Sequence, residues 1–305
     1  LRNADAAKRG GGVSSRRRVS AHSTARRRRQ LRRRRLFALA VAIAAVTAVA
    51  VLVVTLLLST NTHGAKLVRY SIDSRLVGGH ALPQVGVVPA GSALGRRPLL
   101  VFLHGKGSEE ESNLNSELFA ALAKLGPRAP DIIFPNGGED SYWHDRADGK
   151  WGSYVIHEVI PQALKRLHAD PRRVAIGGIS MGGFGAYDIA RLYPSSFCAV
   201  GGHSAALWRS GGETAAGAFD SAEDFSRHDV LGAAEASNPY RGKPLWLDVG
   251  TEDPFRSADT ELAHDLRESG DTVSFHVWPG AHEGSYWRSH WDAYLGFYAS
   301  ALARC

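Results

Sequence analysis

Short apolar runs alternate with amphipathic stretches along the chain from residue 66 onward. The runs KLVRYSI (66–72), RLVGGHALPQVGVVPA (75–90, interrupted at Pro83), PLLVFLHG (98–105), DIIFPN (131–136), VAIGGI (174–179), CAVGGH (198–203), PLWLDVG (244–250) and TVSFHVWP (272–279) have the length and residue types of strands. Between the later ones lie NSELFAALAKLG, WGSYVIHEVIPQALKRLHAD, MGGFGAYDIARLYP, SADTELAHDLRESG and GSYWRSHWDAYLGFYASALA, which repeat apolar residues at helical spacing. Two antiparallel-prone strands followed by strand-helix units predict an α/β domain over 66–305. Its sheet is eight-stranded and mostly parallel, with helices on both faces.

The pattern changes before that domain. Residues 36–58, LFALAVAIAAVTAVAVLVVTLLL, carry no charge over 23 positions. As a helix rising about 1.5 Å per residue they reach roughly 34 Å, enough for a hydrocarbon core of about 30 Å. This predicts one N-terminal transmembrane helix, followed by a linker at 59–65. A cleaved signal peptide is the rival, but its apolar region is usually about 7–15 residues, and no clear small-residue cleavage site follows.

Charge refines the picture. Residues 1–35 hold 14 of the 37 Lys and Arg and a single acid, so a chain of net charge +7 leaves −6 to everything after residue 35. The arm reads as a disordered cytoplasmic topology signal that touches anionic lipid, with the α/β domain on the far side of the membrane. An acidic domain gives no footing to nucleic acid as a partner. Only two cysteines occur, Cys198 and Cys305. An exported domain can pair them, although a small buried residue and a free terminal thiol are the commoner outcome.

Within the domain, IGGISMGGFG places Ser180 between Gly178 and Gly182, directly after an apolar strand and at the start of a helix. A strand-to-helix elbow of this kind lifts a serine hydroxyl to the sheet edge, and the free amides of the helix start favour developing negative charge. A serine nucleophile needs a base and a group that orients the base. Asp253 follows the strand PLWLDVG, and His282 follows TVSFHVWP; both fall in loops beyond strand ends. Glu252 and Asp248 are rival acids, the first one residue early and the second within the strand. Among 13 histidines, His276 and His203 fall in strands, His144 and His157 flank aromatic clusters, and His104 suits a loop-holding role. The oxyanion donors expected are the amide of Met181 and that of Gly105 or Lys106.

Trp143, Trp151 and Tyr154 are candidates for a substrate pocket, with packing beneath a loop as their plainer role. Residues 204–243 supply at most a small lid, which favours sizeable or surface-bound esters. No HExxH or CxxC spacing points to a metal.

The segments VFLHGKGSEEES, SYWHDRADGKWGSYVIHEVIP, DPRRVAIGGISMGGFGAYDIARLYP and GTEDPF…GAHEGSYW together resemble the esterase D-like branch of the α/β-hydrolases, which includes S-formylglutathione hydrolases and secreted mycolyltransferases. The resemblance covers roughly 66–303. It implies an α/β-hydrolase fold and an acyl-enzyme on Ser180, with His282 as general base and Asp253 as orienting acid. No metal or organic cofactor is implied. The expected activity is carboxylic-ester hydrolysis; the alternative is mycolyltransferase-like transfer of the acyl group to a sugar or lipid hydroxyl. No glutathione-specific signature maps onto the chain, so the substrate does not carry over.

Overall fold

A computed structural model of the chain describes residues 60–91 and 95–305, with scattered positions between 36 and 49. The chain separates into two units, Leu1–Ser59 and Thr60–Cys305. In the first, the described positions between 36 and 49 are helical and exposed. The arm 1–35 and positions 38, 42, 48 and 50–58 of the expected anchor lie outside the described residues. Among the described residues no helix is long and apolar enough to cross a membrane.

In the second unit, eight strands form one sheet in the order β1-β2-β4-β3-β7-β8-β9-β10. They are β1 (Lys66–Asp73), β2 (Ala81–Val88), β3 (Leu99–Leu103), β4 (Asp131–Pro135), β7 (Val174–Ile179), β8 (Ala199–His203), β9 (Leu245–Gly250) and β10 (Val273–Trp278). A separate two-stranded hairpin joins β5 (Asp145–Arg146) to β6 (Gly149–Lys150). Only β1 and β2 pair antiparallel to their neighbours; β4, β3 and β7 to β10 run parallel. The central strands are continuous apolar runs because helices cover both their faces. The fold class is thus the α/β-hydrolase-like arrangement implied by the resemblance.

The second strand differs from expectation at its start. Residues 75–79 form a turn, and Pro83 lies inside β2 without breaking it. Pairing with β4 begins one residue later, at Gln84 opposite Pro135. Proline's missing amide therefore falls before that ladder starts.

Helices α1 (Ser116–Leu125) and α9 (Trp291–Leu302) pack on one face over Phe102, Phe134 and Trp246. The other face carries α3 (Ile160–Leu167), α4 (Met181–Leu192), α6 (Val230–Ala236) and α7 (Arg256–Glu268). The stretch expected as one helix from Trp151 is helical throughout but changes form. A turn α2 (Trp151–Tyr154) leads into a wider π-helical segment, Val155–Val159, and then into α3. Ile160 donates to Val155. Pro161 follows, and a proline ring clashes with the carbonyl four residues earlier, which the wider turn relieves. The last expected helix is also two: α8 (Gly284–Ser289) ends at His290, whose Nδ1 lies 2.7 Å from the Tyr286 carbonyl.

The cysteines are bonded. Cys198, just before β8, and Cys305, just after α9, have Cα atoms 6.0 Å apart. The commoner outcome expected from sequence, two separate thiols, is corrected: α9 runs back along the sheet and delivers the C-terminus to the entry of β8.

Between β8 and β9 the chain forms a 3-10 turn (Gly211–Glu213), α5 (Ala222–Arg227) and α6, joined by loops. It is pinned to the scaffold by buried His144–Asp224 (3.1 Å) and His228–Asp188 (2.7 Å) pairs and by Arg146–Asp220.

Candidate active site

The parallel strands β3, β7, β8, β9 and β10 end on one side of the sheet, so the loops after Leu103, Ile179, His203, Gly250 and Trp278 converge there. Ser180 sits between β7 and α4 at φ 55, ψ −115, a left-handed conformation that side chains rarely adopt. The turn is this tight because α4 presses on β3: a methyl group at Gly182 would collide with the Leu103 carbonyl. Glycine is required at 182 for the helix to approach at all. The Ser180 amide donates to the His203 carbonyl (2.9 Å), which locks the elbow to β8.

The fold brings Ser180, His282 and Asp253 together. His282 Nε2 is 2.8 Å from Ser180 Oγ, and its Nδ1 is 2.9 Å from Asp253 Oδ2. With Nδ1–H donating to the carboxylate, Nε2 is left to accept the serine proton. Burial works to raise the Asp253 pKa, but hydrogen bonds from His282 and the Phe255 amide outweigh it and hold it below the ordinary carboxylate value. The acid therefore stays charged beside the imidazole.

The rival acids stand elsewhere. Asp248 is fully buried and accepts from four donors: His203 Nδ1, Trp246 Nε1, Tyr286 Oη and Tyr294 Oη. Glu252 is exposed, and only its amide is engaged, with the Gly280 carbonyl.

Gly105 and Lys106 line the cleft beside Ser180. Their shared peptide is fixed from the carbonyl side: the Gly105 oxygen accepts from His104 Nδ1 (2.9 Å) and the Ser108 amide (3.2 Å). In a trans peptide the Lys106 N–H points the other way. Among the described residues neither that amide nor the Met181 amide donates to a protein acceptor. Burial lowers the His104 pKa and keeps it neutral; its Nε2 accepts from the Gly137 amide (3.0 Å). Its loop-holding role thus has a definite geometry.

The aromatic candidates do not face the nucleophile. Trp143 is buried, with Nε1 donating to the His104 carbonyl, and Tyr154 is buried against Gln84. Trp151 packs over Gly138 and Gly149. None of the three lines either cleft next to Ser180. Trp143 and Tyr142 are consecutive residues at positive φ (58 and 49); both are buried, but only Tyr142 reaches a cleft beside Ser180. Tyr142, Leu207, Trp208 and Phe255 line a cleft of about 720 Å³ on one side of Ser180 and His282. A polar cleft of about 300 Å³ lies on the other, lined by Ser108, Asn113, Trp287 and Arg288. Sequence reasoning missed these residues. Their one signal was their place after strands whose ends converge here: Ser108 and Asn113 after β3, Tyr142 after β4, Leu207 and Trp208 after β8, Phe255 after β9, and Trp287 and Arg288 after β10.

Among the described residues no group of three or more His, Cys, Asp or Glu side chains is placed to hold a metal ion.

Residues 82–298 match the family described as "Putative esterase". A Mycobacterium tuberculosis protein, Esterase Rv1288 (strain ATCC 25618 / H37Rv), is 28% identical over 222 residues, covering 61% of this chain and 48% of that protein. The chain thus spans about half the length of the curated relative it matches. Among solved structures, a ferulic acid esterase aligns with TM-score 0.69 at 21% identity, over 78% of this chain and 99% of that one. The S-formylglutathione hydrolase of Agrobacterium tumefaciens aligns with TM-score 0.65 at 19% identity, over 80% and 99%. MPT51 of M. tuberculosis aligns with TM-score 0.59 at 16% identity, over 78% and 99%. At these identities the structural likeness shows the fold.

Proposed function

Because this chain belongs to the putative esterase family, we propose that it is a serine esterase that hydrolyses carboxylic esters through an acyl-enzyme on Ser180. The observation that carries the reading is the unbroken hydrogen-bonded chain from Ser180 through His282 to Asp253, at 2.8 and 2.9 Å. His282 takes the Ser180 proton as Oγ attacks the ester carbonyl, and then gives it to the departing alcohol. Asp253 orients the imidazole and stabilises the imidazolium. The oxyanion is received by the Lys106 and Met181 amides at the start of α4. Water, activated by His282, then releases the acid. The aromatic cleft takes one part of the ester and the polar cleft the other, so Tyr142, Trp208 and Phe255 replace Trp143, Trp151 and Tyr154 as substrate contacts.

The exported, membrane-tethered location is part of the same proposal. The uncharged 36–58 segment behind an Arg-rich arm supports it, and the Cys198–Cys305 disulfide suits an oxidising compartment. Protease added to intact cells is then expected to digest the 60–305 domain; protection of that domain contradicts the location without touching the chemistry.

Turnover of short-chain esters by the domain tests the activity. Wild-type protein is expected to release free acid even with sugar and glycerol acceptors present. Release abolished in favour of an acylated acceptor at millimolar acceptor makes the protein a transferase instead.

A further inference from the structure

We propose that the polar cleft selects esters whose leaving alcohol carries an anionic group, a carboxylate or a phosphate, held by Lys106 and Arg288. The inference rests on the reading of Ser180 as the nucleophile, and it names the substrate class of that site.

The two clefts at Ser180 differ in kind. The larger has aromatic walls; of the two cations in its lining, Arg209 is paired with Glu261 and Lys106 is shared with the smaller cleft, so Arg288 is the cation that sets the smaller one apart. The smaller contains Lys106 and Arg288 and no acidic residue in its lining. Among the described residues neither cation forms an ion pair. Of the acids nearest to them in sequence, Glu109 is exposed with its carboxylate in no ion pair among the described residues, Asp292 pairs with Lys124, and three more are engaged elsewhere. Glu110 accepts from the Asn136 amide, Glu111 pairs with Arg69, and Glu283 accepts from the Ser285 hydroxyl. Two cations without ion pairs flank one nucleophile on a part of the chain, beyond residue 35, whose net charge is −6. A site of this sign raises the local concentration of anionic ligands and rewards their placement.

Arg288 is exposed, and its guanidinium lies back over the first turn of α8, next to the His282 loop: a Cβ at Gly284 would meet its Nη1 at 2.9 Å. Trp287, the preceding residue, is fixed by its Nε1 hydrogen bond to Ser204 Oγ (3.1 Å) and by an edge contact with the His282 ring. The leaving oxygen must receive its proton from His282. An alcohol departing along the cleft that holds Gly284, Trp287 and Arg288 stays beside that imidazole. The side chains of Ser108 and Asn113, also in the lining, add uncharged donors. A guanidinium matches the two oxygens of a carboxylate or phosphate in a fork, and Lys106 adds a point charge.

The test uses butyryl esters of 3-hydroxypropanoate and of its carboxamide, and of glycerol 3-phosphate and glycerol, so that each anion has a neutral counterpart. The quantity read is the ratio of kcat/KM, anionic over neutral. Intrinsic ester reactivity is common to all enzyme forms, so changes in the ratio report the cleft. Wild-type protein is expected to favour an anionic member about tenfold or more. Lys106→Gln and Arg288→Gln should each cut the ratio about fivefold, the size expected of one charge pair in a wet cleft. Arg288→Lys should keep most of it, Arg288→Glu should invert it, and 0.5 M salt should shrink it. The pair that responds tells carboxylate from phosphate. The same four esters are titrated by NMR against Ser180→Ala protein, with and without Arg288→Gln, so that binding is read without turnover. Anion-selective binding that is lost with Arg288, where wild-type protein turns over none of the four esters, keeps the cleft assignment and sinks the esterase reading. Hydrolysis with equal ratios in wild type and both Gln variants overturns the anion proposal and leaves the esterase reading standing.

Discussion

His203 and Asp248 are hydrogen-bonded, Nδ1 to Oδ1 at 2.6 Å, in a fully buried pocket under the strand ends that carry Ser180 and Asp253. Removing one partner of a buried, fully bonded charge leaves its donors stranded, at a cost of about 3–5 kcal/mol. Asp248→Ala is therefore expected to lower the urea midpoint sharply. Asp253→Ala should lower it less, because that acid has two donors, His282 and the Phe255 amide, against four for Asp248, and should cut kcat about 10⁴-fold. Equal stability losses in the two variants would mean that the two acids are wrongly assigned.

The two sets of aromatic residues should part in the same way. Trp143→Ala empties a buried site and is expected to cost about 3–5 kcal/mol. Trp208→Ala, at the wall of the larger cleft, should raise KM for aryl or long-chain esters about tenfold with little change in melting. A Trp143 variant that melts normally but loses substrate affinity would restore the expectation from sequence.

The Cys198–Cys305 bond closes a loop across 107 residues. Its removal by Cys305→Ser is expected to cost about 2–5 kcal/mol, read as a lower Tm. Reductant should lower the wild-type Tm toward that of the variant and leave the variant unmoved. A variant that still responds to reductant points to another source of the effect.

The contribution of the buried imidazoles to stability should fall with acid. Burial, then the charge of nearby His228, pushes the His144 pKa below its ordinary 6.5, and Asp224 and Asp188 pull the other way without overcoming it. Burial likewise lowers His104. Below about pH 6.5 the unfolded chain takes up protons that the folded protein refuses, so acid favours unfolding until the folded-state values are passed. Asp253 and Asp224, whose pKa values are lowered, act in the same direction but only near and below 3.8. Asp131, which burial raises to about 7, and Asp259, which burial raises well above 3.8, act the opposite way, because the folded protein holds protons there that the unfolded chain releases. The imidazole contribution is therefore read by difference: between pH 7.5 and 5.0 the wild-type Tm is expected to fall relative to that of His144→Gln. A difference that stays constant, or that moves in favour of wild type as pH falls, contradicts the assignment.

The sheet was legible because each strand is a short apolar run bounded by polar loops, and Ser180, Asp253 and His282 were legible because each follows such a run. Asp253 could be preferred to Asp248 by loop position alone, but the reason Asp248 is elsewhere, four donors from three separate segments, has no local trace. The substrate-facing aromatics were hidden for a similar reason. Which of Tyr142 and Trp143 reaches the cleft depends on two successive left-handed residues, neither of them glycine. The break at His290 and the widened turn before Pro161 likewise come from contacts and sterics that helical spacing does not record. Cysteine pairing depends on where α9 ends against β8, a distance set by the whole fold.

The central claim is that Ser180 is the attacking group. Wild-type protein and Ser180→Ala are treated with a fluorophosphonate and mapped by peptide mass spectrometry, with ester turnover followed in parallel. The account predicts one covalent adduct, on the peptide containing Ser180, with turnover lost in step with labelling. Ser180→Ala should give no adduct there and a rate about 10⁴-fold or more below wild type. An adduct on another residue, or undiminished turnover by Ser180→Ala, contradicts it.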